Sequence, residues 1–134
     1  MGAHYKELIV WQKAIRLVKQ IYVVTQTFPH SEMYGLVNQM RRAAVSIPSN
    51  IAEGQARKTS AEFAHFLSIS RGSLAELETQ MIISRDLGYL PQAQFDECTV
   101  LHNEVSRMLI ALREKISKTK PQLKTGNLKQ ETGN

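Results

Sequence analysis

Cysteine is nearly absent: the 134 residues hold one, Cys98. An internal disulfide is therefore excluded, and the thiol fits a reducing compartment. Long apolar runs are missing as well, and none approaches the roughly 18–20 residues that cross a bilayer as a helix. The opening residues, Met1 to Glu7, lack the charge-then-apolar order of a signal peptide, and Lys6 spoils a myristoylation pattern. The expected location is the cytoplasm. Neither G-x-x-x-x-G-K-[ST] nor G-x-G-x-x-G occurs, and the seven glycines are scattered, so a phosphate-cradling loop is excluded. Sustained apolar/polar alternation is missing too, which leaves no strand signal. No cofactor is expected.

What is present reads as one soluble helical domain. Hydrophobic residues make up 43% and charged residues 22%, ordinary values for a globular chain. At this length folding buries roughly two thirds of the unfolded surface, so neither a disulfide nor a metal staple is needed. The net charge of +5 comes from 17 Lys and Arg against 12 Asp and Glu. It is unevenly placed: residues 1–57 carry a basic surplus, residues 58–117 an acidic one, and the tail from Lys118 is basic again. Basic charge on the first half and the tail suits a polyanion partner.

Helical periodicity dominates. In the first segment Leu8, Trp11, Ile15, Val18 and Tyr22 recur at steps of three and four, the spacing of one buried helix face. A second stripe, Val10, Ala14, Leu17, Ile21 and Val24, falls on nearly the opposite side. A small bundle absorbs one face, so the first stripe is assigned to the core and the second to a subunit interface. Phe28-Pro29-His30 ends this helix. The second helix is expected from Met33 to Gly54, with Gly54 as the glycine just past its end. Its core face is Val37, Met40, Ala44, Ile47 and Ile51, and Pro48 is expected to kink it. Ser46, Ser49 and Asn50 on its far side are short enough to admit another helix and join the interface assignment.

Thr59-Ser60-Ala61-Glu62 opens the third helix as a capping box. Its core line is Phe63, Leu67, Ser70, Leu74, Leu77 and Met81, and Gly88 closes it. Gly72 in mid-helix is expected to mark close packing against a neighbour. Pro91 starts the fourth helix, with Phe95, Cys98, Leu101, Val105, Met108, Leu112 and Ile116 on its buried face. Short connections make an all-α, up-down-up-down four-helix bundle over residues 1–117 the economical architecture. Residues 118–134 read as a basic, disordered tail.

Catalytic constellations are weak. Glu62-Phe63-Ala64-His65 supplies one Glu-x-x-His, whereas a di-metal bundle needs two such motifs and two further inward glutamates. Glu62 is better read as a cap, and no metal is expected. Cys98 and His102 lie one helical turn apart, but no third group orients them, so Cys98 reads as a structural core residue. The basic residues are the better lead. Arg41 and Arg42 are adjacent, Arg57 and Lys58 close the second helix, and Lys13, Arg16 and Lys19 share a sector of the first. Such side chains neutralise phosphates without reading sequence. The competing reading is a solvated face in which Arg42 pairs with Glu53.

One block of motifs is specific. Trp11-Gln12-Lys13-Ala14, Phe28-Pro29 and Glu32-Met33-Tyr34-Gly35-Leu36 lead into Gln39-Met40-Arg41-Arg42-Ala43-Ala44-Val45-Ser46-Ile47-Pro48-Ser49-Asn50-Ile51-Ala52-Glu53-Gly54. Phe63-x-x-Phe66-Leu67 and Arg71-Gly72-Ser73-Leu74-Ala75-Glu76-Leu77-Glu78 follow. Over residues 5–117 the chain resembles the bacterial four-helix-bundle proteins encoded in intervening sequences of 23S ribosomal RNA genes. The resemblance implies a cytoplasmic homopentameric ring. It also implies kinship with the basic accessory protein of diversity-generating retroelements, which engages nucleic acid and a reverse transcriptase. No member is established as an enzyme. The expected function is a non-enzymatic oligomer that contacts RNA or DNA through basic residues repeated around a ring; a structural or protein-interaction scaffold is the alternative. On that reading Leu17→Glu breaks the ring.

Overall fold

The computed structural model describes the backbone of residues 4–124 and the side chains of residues 4–118. Among the described residues there are four α-helices and no strand. A 3-10 turn over Tyr5–Glu7 leads into α1 (Ile9–Thr25), and a second over His30–Glu32 leads into α2 (Leu36–Gln55). They are followed by α3 (Ser60–Asp86) and α4 (Gln92–Lys124). Successive helices pack side by side and α4 returns to α1, with no diagonal contact, so the four surround a single core. The tightest seam joins α2 to α3.

Each helix end has an identifiable cause. Thr59 caps α3, its Oγ1 accepting from the Glu62 amide at 3.1 Å; only this half of the capping box forms. Gly88, at φ +84°, follows the C-terminus of α3. Its amide donates to the Arg85 carbonyl at 3.0 Å, and the Tyr89 amide donates to that of Ser84 at 2.9 Å. A left-handed residue here turns the last amides back onto open carbonyls. Helix α2 begins three residues later than expected, because residues 33–35 form a turn that follows the 3-10 turn, the Gly35 amide donating to the Glu32 carbonyl at 3.0 Å. Helix α4 continues to Lys124, past the expected domain edge at 117. The remainder of the tail, 125–134, lies outside the described residues.

The core faces of α2, α3 and α4 are as the periodicity predicts, with Met40, Ile47, Ile51, Leu67, Leu77, Met81, Cys98 and Val105 fully buried. Leu109 and His102 join them. The two stripes of α1 are exchanged. Ala14, Leu17 and Ile21 are 0% exposed, with Val10 and Val24 close behind, and all five belong to the core of this one chain. Leu8, Trp11, Ile15 and Val18 are half-buried and Tyr22 is exposed. The stripe assigned to a subunit interface is thus the interior stripe. Leu8, Trp11 and Val18 of the other stripe pack against the edge of that core.

Two glycine roles also differ from expectation. Gly54 lies inside α2 rather than beyond it, and a Cβ there would meet the Phe66 Cβ at 2.8 Å and Phe63 Cδ1 at 2.9 Å. Phe63 and Phe66 bring the start of α3 directly onto this glycine. Gly72 faces open space, with nothing within 4 Å of where its Cβ would sit, so it does not serve close helix packing.

Candidate nucleic-acid interface

Helix α2 is continuous through Pro48, whose missing amide leaves the Ala44 carbonyl without its usual partner. Side chains meet the neighbouring carbonyls: Asn50 Nδ2 donates to the Ser46 carbonyl at 2.8 Å, and Ser70 Oγ donates to that of Ile47 at 2.9 Å. Ser46 Oγ also lies 2.8 Å from Ser73 Oγ and 3.0 Å from Asn50 Nδ2. Ser46 and Asn50, expected at a subunit interface, therefore help to join α2 to α3 within the chain. Ser49 alone of the three is exposed. Ser70, the hydroxyl on an otherwise apolar line, is accounted for by its bond to Ile47.

The seven candidate phosphate contacts separate into engaged and free groups. Lys13 Nζ lies 3.0 Å from Glu104 Oε2 and ties α1 to α4. Arg41 turns inward: its Nε donates to Thr25 Oγ1 at 3.0 Å, and its guanidinium sits 4.5 Å from the Tyr22 ring centroid. A cation there complements the carbonyl end of α1. Arg57 pairs with Glu53 at 2.8 Å and stacks 4.8 Å over Phe66. Glu53 is thus matched by the turn that follows its own helix and not by Arg42. Arg16, Lys19, Arg42 and Lys58 are exposed and in no ion pair among the described residues. Nor do the seven form one patch, since the fifteen residues from Arg42 to Arg57 span roughly 22 Å of helix.

Sequence reasoning passed over a second set. Arg71, Arg107, Arg113, Lys115 and Lys118 are also exposed and make no ion pair among the described residues. The count over residues 58–117 hid the first four, because it averages the basic end of α4 with the acidic α3–α4 turn; Lys118 was counted with the tail.

The remaining chemistry is subdued. Burial, and then the charge of Glu97, push the Cys98 thiol up to about 11, so it is a protonated core group at neutral pH. His102 Nε2 lies 2.8 Å from the Leu74 carbonyl and Nδ1 3.2 Å from Asn103 Oδ1. An imidazole held by a carbonyl is positioned to bind α3 to α4, not to activate the cysteine. An open depression of about 370 Å³ over this seam is lined by Ser68, Arg71, Gly72, Glu78, His102 and Ser106 among others. Glu62 and His65 are both exposed, and among the described residues no group of three His, Cys, Asp or Glu could hold a metal ion. No helix among them is long and apolar enough to cross a membrane.

Comparison with known proteins places this geometry. Residues 6–111 match the family model described as 23S rRNA-intervening sequence protein. A crystal structure from Bacteroides thetaiotaomicron, a protein of unknown function from the S23 ribosomal protein family, superposes with a TM-score of 0.73 at 20% identity. The match covers 79% of this chain and 96% of the other, and at that identity it shows a shared fold. No curated protein matches the chain.

Proposed function

The chain belongs to the 23S rRNA-intervening sequence protein family, and on that premise we propose that it is a non-enzymatic, oligomeric helical bundle of the cytoplasm that contacts nucleic acid through basic side chains. One observation carries the reading. Arg16, Lys19, Arg42, Lys58, Arg71, Arg107, Arg113 and Lys115 all reach solvent with no acidic partner among the described residues. Free cations in that number neutralise phosphates and release counterions, each contact being weak alone. Assembly into a ring, pentameric by the family resemblance, multiplies such contacts without any new ones.

The outer stripe of α1 supports assembly. Trp11, Ile15, Val18 and Tyr22 keep apolar surface at the protein's exterior, as does Val45, which lies one turn beyond Arg41 on α2. A contiguous apolar strip of this kind marks a contact surface. Light scattering of the purified protein tests the oligomer, and retention on heparin together with salt-titrated RNA binding tests the contact. Binding that falls steeply with salt is the expected result. A stable oligomer that ignores both polyanions supports the scaffold reading instead.

A further inference from the structure

The antiparallel fold sorts charge that the linear sequence mixes. The 3-10 turn at Tyr5–Glu7 packs against α1 and α2, which puts Lys6 at the end of the bundle where α2 turns into α3. Arg57 and Lys58 form that turn. The register of α4 on α3, with His102 against Leu74 and Phe95 under Arg85, brings Arg113, Lys115 and Lys118 to the same end. Six cations therefore gather there with Glu7, Glu53, Glu62 and Glu114, and Glu53 is taken by Arg57. The opposite end holds Glu32, Asp86, Asp96 and Glu97 against two cations, Arg41 at the carbonyl end of α1 and Arg85, which is itself paired with Asp86 at 3.1 Å. The molecule is charged oppositely at its two poles.

Apolar exposure is sorted as well. Tyr34 (92% exposed), Met33, Leu87, Ile83 and Val23 lie at or toward the acidic pole, whereas the basic one has Ile9 and, one turn before Arg113, Ile110. Protein partners are held chiefly by buried apolar anchors. A phosphate backbone asks instead for several cations spread over one surface, with no pocket. The basic pole has the second composition. We propose that this pole, Lys6, Lys58, Arg113, Lys115 and Lys118, is the surface that takes the phosphate backbone of a nucleic acid, and that the α1–α2 flank with Arg16, Lys19 and Arg42 is not. The assignment rests on the nucleic-acid reading above and adds to it which surface is used. Arg57 is a positioning residue here: its stack on Phe66 and its pair with Glu53 hold the turn that presents Lys58.

Two variants of the full chain decide the matter, both confined to exposed side chains. One carries Lys6→Gln, Lys58→Gln, Lys115→Gln and Lys118→Gln; the other carries Arg16→Gln, Lys19→Gln and Arg42→Gln. Binding of a fluorescein-labelled single-stranded RNA is followed by anisotropy across a salt series, with poly-glutamate as a second probe and circular dichroism as the check on folding. The pole variant should lose about tenfold or more in affinity, and its slope of log K against log salt should shallow by about 3, near 0.7 for each phosphate contact removed. The flank variant should stay within about twofold of the parent protein. Should the pole variant not fold, the Lys58→Gln/Lys118→Gln pair is read in its place, with a slope change of about 1.4. If the flank variant loses binding and the pole variant does not, the surface is misassigned while the nucleic-acid reading stands. If the parent protein binds poly-glutamate as tightly as RNA, the pole recognises acidic protein and the proposal is overturned. If it binds neither, both readings fall together.

Discussion

At the residue scale, the two mid-helix glycines make opposite demands. Gly54 has no room for a methyl group, with Phe66 and Phe63 under 3 Å from where it would sit. Gly54→Ala should cost about 1–3 kcal/mol through overpacking. Gly72 is exposed and unobstructed, so Gly72→Ala should stabilise by about 0.5–1 kcal/mol, the usual gain from removing glycine's backbone freedom in a helix. Urea unfolding of both variants checks the contrast; equal effects would contradict it. The Cys98 thiol supplies a pH prediction. Its value is raised from 9.0 to about 11 by burial and then by Glu97. The unfolded chain therefore loses this proton before the folded one does. Its contribution is fully present below about pH 9 and is lost as pH climbs to about 11. Stability measured across that window should fall less steeply in Cys98→Val than in the parent protein.

At the scale of the element, α1 shows what periodicity can and cannot decide. Both of its stripes have helical spacing, and spacing alone does not say which faces inward. That is decided by the helices packed around it, and Ala14, Leu17 and Ile21 at 0% exposed occupy the interior. Leu17→Glu should accordingly abolish the folded state and not merely the oligomer, since it places an unpaired carboxylate in the core. Ile15→Glu, on the half-buried outer stripe, should keep its helical circular dichroism and lower the mass seen by light scattering. A folded Leu17→Glu monomer would reverse the assignment. In α2 the carbonyl traffic around Pro48 makes Ser70 a seam residue. Ser70→Ala removes its hydrogen bond to Ile47 at 2.9 Å and should lower stability by about 1 kcal/mol in a thermal melt.

At the scale of the whole molecule, most of the fold was legible in the chain. Steps of three and four, Thr59 before Glu62, Gly88 after Asp86 and Pro91 before α4 mark four helices, because caps and periodicity are local properties of consecutive residues. The core faces of α2, α3 and α4 were legible for the same reason. The candidate interface was legible only as a set of cations. Which of them are spent depends on what a distant segment places beside them: Glu104 takes Lys13, and Thr25 and Tyr22 take Arg41. The charge poles were hidden from any linear count, since Lys6, Lys58 and Lys118 are neighbours only after the chain has reversed direction three times.

The sequence by itself determined the four helices, their approximate ends and the faces that three of them bury. Hydrophobic spacing and capping act within a turn or two of chain, and no partner is needed to express them. The tertiary structure alone decided which stripe of α1 faces inward, why Gly54 must be glycine while Gly72 need not be, and which cations stay free. Each of those outcomes is a question of the space and charge that one helix presents to another, and that is settled when the helices meet.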